Sequence, residues 1–254
     1  GIIISFNIEA AYILSAFSSI AFIIFLSTMV LPPAPKIKQG KMIGQIVKSL
    51  YYVRKHRLLF GSMSLDLFAV LLGGAVYLLP IFARDIINLS SIGIKPETAL
   101  GWLRSAPAIG AFIMALTIAH LPTIKNAGKT LFWSVAGFGL ATIIFGISQN
   151  FWLSLLMLAI TGALDNISVV IRRVISQMTV PNQMRGRVQA ITAIFVGSSN
   201  EIGGFESGLI AHIFNPVFSV VSGGIGTIII VAAWTGLFPS LRNLGSLSSL
   251  KVKN

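Results

Sequence analysis

Residues 61–83 read GSMSLDLFAVLLGGAVYLLPIFA, an apolar run interrupted by a single charge, Asp66. A helix rises about 1.5 Å per residue, so about 20 such residues cross the hydrocarbon core of a bilayer. A membrane β-strand needs about half that length and alternates in polarity, which this run does not. The expected fold class is therefore an all-α membrane protein. Working outward, six further stretches meet the standard or nearly so: 11–31, 99–121, 130–147, 151–171, 188–214 and 217–238. Seven spans are expected. Residues 1–5 look like the tail of an earlier span, and Gly1 is not an initiator Met, so the chain reads as a piece or a processed product.

Composition agrees. Of the 254 residues 55% are hydrophobic and 10% charged, whereas a soluble domain carries about a quarter charged residues. Mean hydropathy is +0.87. The net charge of +12 would suggest nucleic acid in a soluble protein, but here the basic residues occupy short segments between apolar runs and read as topology signals. Nucleic acid is not an expected partner. The absence of cysteine removes disulfides and thiolate metal sites.

The basic residues also give the orientation. Lys36, Lys38, Lys41, Lys48, Arg54, Lys55 and Arg57 follow the first span. Lys125 and Lys129 follow the third. Arg172, Arg173, Arg185 and Arg187 follow the fifth, and Arg242, Lys251 and Lys253 the seventh. All lie on one side, expected to be cytoplasmic. The other side has only Arg84 and Lys95, offset by Asp85 and Glu97. A seven-span receptor would share this count, but no ligand domain or disulfide pattern accompanies it.

Four regions follow: 1–31, ending in the first span; a basic linker, 32–57; a six-helix domain, 58–239; and a cytoplasmic tail, 240–254. Pro32, Pro33 and Pro35 stop the first span. The linker then reads KMIGQIVKSLYYVRKHR (41–57), with Met42, Ile46, Leu50 and Val53 at helical spacing. This is a basic amphipathic helix for the inner membrane surface, its apolar stripe facing lipid or the protein's cytoplasmic face.

The order of one span, a basic linker and six spans resembles the major facilitator superfamily from its sixth helix to its twelfth. Seven segments carry the resemblance in order: LPPAPK (31–36), SLDLFAVLLGGAVYLLPIFARD (64–85), LRSAPAIGA (103–111), FGISQNFWLSLL (145–156), DNISVVIRR (165–173), PNQMRGRVQA (181–190) and GSSNEIGGFESG (197–208). The sixth is similar to the family's cytoplasmic P-x-x-x-R-G-R turn. Together they look like the enterobactin-exporter-like branch, also called transmembrane secretion effectors. The resemblance implies a twelve-span, two-half, proton-driven exporter in the cytoplasmic membrane. Its N-terminal half is missing here apart from the last span, and its substrate is a small organic molecule such as a siderophore or drug.

Charged groups inside spans are costly, so each is a functional candidate. Asp66 and Asp165 both fall about 9 Å from the cytoplasmic edge at 1.5 Å per residue. Arg172 lies seven residues past Asp165 on the same helix face. With Arg185 and Arg187 they form a candidate cytoplasmic gate or, equally, a static cap. Arg104 and Glu206 share a depth on the outer side and are a candidate pair. Glu201 lies nearest mid-membrane with Gly197, Gly204 and Gly208 on its face. A tight helix contact there would favour its protonated form, so Glu201 and Asp66 are the proton-coupling candidates. Pro107 kinks its span and, with Asn200, is a candidate for the substrate path. Trp102, Trp152, Trp234 and Tyr77 read as an interfacial belt.

His56, His120 and His212 share no metal spacing, no phosphate loop is present, and no cofactor is expected. Two further classes remain open at this point. One is a transport-inactive bundle acting as a binding or scaffold protein. The other is a membrane enzyme, for which no nucleophile or acid–base pair stands out.

Overall fold

The computed structural model describes residues 8–29, 42–73, 75–90, 92–120 and 124–246, and every regular element among them is helical. The helices are α1 (Ile8–Thr28), α2 (Met42–Lys55), α3 (Arg57–Leu72), α4 (Ala75–Ile81) continuing into a π-helical turn (Phe82–Ile86), α5 (Pro96–His120), α6 (Ala127–Ile147), α7 (Phe151–Thr179), α8 (Asn182–Ile213), α9 (Pro216–Leu237) and the short α10 (Pro239–Arg242). Residues 1–5, the proline run 32–35, Lys36, Lys38, Lys41, Lys251 and Lys253 lie outside the described residues.

Among the described residues, six helices are long and apolar enough to cross a membrane: α1, α3 through the π-turn, α5, α6, α7 and α9. Helix α8 corresponds to the remaining expected span. At 32 residues it has ample length, but Gln183, Arg185, Arg187, Gln189, Asn200, Glu201 and Glu206 make it too polar to qualify by composition. Packing sets its place instead, since α8 lies against α2, α3, α4 and α9.

Two boundaries differ from the hydropathy reading. Helix α7 runs on to Thr179 and α8 starts at Asn182. Hydropathy marks where lipid ends, whereas helical hydrogen bonding continues into water, so Arg172 and Arg173 are helical. The span expected over 61–83 is also broken. It stops at Leu72, where the Gly73 N–H turns back to the Val70 carbonyl at 3.2 Å, and resumes at Ala75. Pro80 lacks an N–H, and the turn after it widens, with the Ile87 N–H reaching the Phe82 carbonyl at 2.9 Å.

Two large apolar clusters hold the bundle among the described residues. At one end, Phe82 stacks on Phe145 with centroids 4.8 Å apart, among buried Leu79, Leu103 and Leu158. At the other, Leu65, Leu131, Ile171, Ile175 and Leu241 are buried together. Helices α5 and α7 cross closely because both carry glycine at the contact. A Cβ on Gly110 would collide with the Ala159 backbone, and one on Gly162 with the Pro107 backbone. Trp234 is tied inward, donating from Nε1 to Ser64 Oγ at 3.0 Å.

Helix α1 has no buried side chain among those described. The linker helix α2 does dock. Val53 is buried with Leu59, Val180 and Val188, and the Tyr52 hydroxyl donates to the Thr179 carbonyl at 2.7 Å. Burial pushes the Tyr52 pKa up, which keeps it a donor. The stripe expected from spacing is split. Val53 is buried together with Ser49, while Ile46 and Leu50 are exposed, because the face that meets α3 and α8 takes in only the C-terminal end of that stripe.

Candidate functional site

Helices α3, α7 and α8 wall a cavity of about 380 Å³, with Met63, Asp66, Asp165, Arg172, Thr192 and Asn200 among its lining. A second cavity, of about 210 Å³, lies further along the bundle against Val76, Pro107, Phe138, Thr142 and Thr161. Val70, Asp165 and Asn200 line both. The two thus adjoin and together make a groove, running from the Arg172 end of α3 and α7 toward Pro107 and Thr142.

The groove carries three of the expected charges at one point. Asp66 is placed by α3, and Asp165 and Arg172 lie two turns apart on α7. Arg172 Nη1 pairs with Asp66, and its Nη2 lies 3.8 Å from Asp165 Oδ1. Its Nε donates to Ser168 Oγ at 3.1 Å and the Ser168 carbonyl at 3.2 Å. The two carboxylates are unequal. The Asp66 side chain is 7% exposed and that of Asp165 52% exposed, so Asp66 is sealed against the guanidinium while Asp165 faces the groove. Arg173 is exposed on the same wall.

The other candidates are placed differently. Arg185 donates from Nη2 to the Gln177 carbonyl at 2.7 Å, clamping the α7–α8 turn, and its Nε is buried without a partner. Arg187 is not part of the groove lining. Among the described residues Arg104 and Glu206 form no ion pair; Arg104 is exposed on α5 and Glu206 half-buried on α8. A shared depth does not fix the direction around each helix axis, and here it does not bring them together.

Glu201 is exposed rather than held in a tight contact. The packed face of α8 is the Ser199, Gly203 and Ser207 stripe, with Gly203 against the Leu71 backbone. Glu201 lies about 200° from Ser199 at 100° per residue. Gly197 and Gly208 have open space beside them. Pro107 and Asn200 are both on the groove wall. Ser168, Thr142 and Thr161 went unremarked in the sequence. Ser168, one turn before Arg172, was legible by spacing, whereas the threonines carry no signal that separates them from other helix threonines. No three His, Asp or Glu side chains among the described residues gather as a metal site.

Across the whole chain, a family model described as "Transmembrane secretion effector" matches residues 1–252. The chain belongs to that family. The transmembrane secretion effectors are a major facilitator branch, and this chain is a multi-pass, all-α bundle of that type. Curated relatives include "Enterobactin exporter EntS" of Escherichia coli O1:K1 / APEC and of Shigella flexneri. Each is 29% identical over 131 residues, covering 52% of this chain and 32% of the relative. The match therefore spans about a third of those relatives' length. No solved structure matches.

Proposed function

We propose that this chain is the C-terminal part of a secondary exporter that moves a small organic solute out across the cytoplasmic membrane in exchange for protons. The observation that carries the proposal is the Asp66–Arg172–Asp165 cluster on the groove wall, with one carboxylate sealed and the other open. A buried cation needs its counter-charge. A proton taken by Asp66 would free Arg172 to turn to Asp165 or to a group across the groove, and that exchange is a two-state element suited to alternating access. Membership of the secretion effectors and the exporters among the relatives support the direction. The enterobactin named for the relatives makes a siderophore, or a drug-like molecule of similar size, the class to test first. Helix α1 belongs in this reading to the N-terminal half, which closes the groove from the other side, and this fits its lack of buried side chains. Asp66 is the leading proton site and the exposed Glu201 the second.

The test uses full-length protein in everted vesicles, following enterobactin and a drug-like amphiphile under an imposed pH gradient. Asp66→Asn is expected to lower proton-driven flux by at least roughly tenfold, a barrier of about 1.4 kcal/mol, while solute exchange without a gradient persists. Asp165→Asn should weaken both. Normal coupling in Asp66→Asn, Asp165→Asn and Glu201→Gln alike would sink the proposal.

A further inference from the structure

Beneath the linker helix lies a slot of about 110 Å³ between α2, α3 and α8, lined chiefly by Val53, Phe60, Met63, Leu67, Phe195 and Val196. Its two polar lining residues are already engaged. Ser64 Oγ donates to the Phe60 carbonyl at 2.7 Å and accepts from Trp234, and Thr192 Oγ1 donates to the Val188 carbonyl at 2.8 Å. The slot therefore offers an occupant only hydrocarbon contacts. Phe60 and Phe195, at its edge, are 42% and 45% exposed.

Its cytoplasmic mouth has the opposite chemistry. Arg57 precedes Phe60 by three residues, so it heads the α3 face that continues through Phe60, Ser64 and Leu67 into the slot. Arg54 and Lys55, in the last turn of α2, lie about 100° and 200° around the helix from Val53, on the rim and outer face above the slot, and all three basic residues are exposed. None of them forms an ion pair among the described residues, and residues 32–57 contain no Asp or Glu. On the outer side of α2, Ile46, Val47, Leu50 and Tyr51 are exposed, an apolar and aromatic edge at the level where membrane headgroups meet chains.

From this slot, its unpaired cations and the exposed edge of α2 we infer a binding site for an anionic phospholipid, with an acyl chain between α3 and α8 and its phosphate among Arg54, Lys55 and Arg57. Met63, Thr192 and Val196 line both this slot and the groove, so the bound chain packs the back of the groove wall. The site depends on the bilayer placement alone, and its failure would leave the export cycle unaffected.

Trp234 touches Ser64 of the slot and serves as the reporter. With Trp102, Trp133 and Trp152 changed to Phe, the chain is placed in phosphatidylcholine nanodiscs doped with brominated phosphatidylglycerol or brominated phosphatidylcholine. The anionic lipid should quench Trp234 at an at least roughly fivefold lower mole fraction, the preference one basic residue near a headgroup provides. The triple change Arg54→Gln, Lys55→Gln, Arg57→Gln should abolish the preference, and Lys125→Gln with Lys129→Gln should leave it intact. Equal quenching by the two lipids would overturn the inference. So would a preference that survives the triple change, or one lost equally in the Lys125/Lys129 control. In the full-length protein the same lipid preference, read by native mass spectrometry, should persist; its loss there would mean that the other half of the transporter covers the slot, and would also overturn the inference.

Discussion

Replacing Arg172 with Gln is expected to lower the unfolding free energy of the chain in detergent by about 3–5 kcal/mol, because it leaves a buried carboxylate without its cation. Asp66 is 7% exposed and paired to Arg172, and Ser168 holds the guanidinium in place. The cost comes from stranding Asp66, so Arg172→Gln combined with Asp66→Asn should recover most of it. The pair then shows a coupling well beyond the roughly 0.5 kcal/mol within which independent sites add. Asp165→Asn alone should cost under about 1 kcal/mol, since its side chain is half-exposed and 3.8 Å from the guanidinium. Denaturant unfolding followed by tryptophan fluorescence reads the wild type, the single variants Arg172→Gln, Asp66→Asn and Asp165→Asn, and the double variant. A loss below 1 kcal/mol for Arg172→Gln, or no recovery in the double variant, would show that the ion pair does not hold α3 to α7.

Gly162→Ala should destabilise by about 1–3 kcal/mol, the usual cost of overpacking. A Cβ there falls on the backbone of Pro107, which cannot swing aside as a side-chain end can, and so α5 and α7 must part. Gly197→Ala is the matched control. Nothing lies near its Cβ position, and alanine is the better helix former by about 0.5–1 kcal/mol, so this change should be neutral or stabilising. The same unfolding measurement separates the two; equal effects would remove the close α5–α7 crossing from the description of the core.

How much of this was legible beforehand varies with the physics involved. Bilayer thickness acts directly on hydropathy, so the spans stand out in the sequence. The stretch 188–214 comes near the same apolar standard, but α8 as a whole is too polar to qualify by composition, and its place in the bundle rests on packing. The break at Gly73 and the widened turn after Pro80 were hidden, because glycine and proline permit a break without requiring one. At the groove, depth and seven-residue spacing placed Asp66, Asp165 and Arg172 near one another. They could not show that Asp66 is sealed and Asp165 open, which depends on how α3 is rotated against α7. Glu201 marks the limit. Helix α8 carries two stripes of small residues, 197/204/208 and 199/203/207, and sequence alone does not say which one meets a neighbour. The second stripe is the buried one, with Gly203 on the Leu71 backbone, while of the first only Gly204 meets a neighbour, the Tyr77 ring.

Because the chain contains no cysteine, single cysteines introduced into it, with any in the rest of the full-length protein replaced by serine, can map where water reaches it in membrane vesicles. Val169 and Thr192 line the larger of the two cavities and Val76 the second, while Trp133, Leu156 and Ile229 are exposed on the outside of the bundle. Thiols in hydrocarbon stay protonated and unreactive. A charged thiol reagent should therefore modify cysteines at Val169, Thr192 and Val76 at least roughly tenfold faster than those at Trp133, Leu156 and Ile229. Equal rates at all six positions, or the reverse order, would contradict an aqueous groove walled by α3, α7 and α8 inside a lipid-facing bundle.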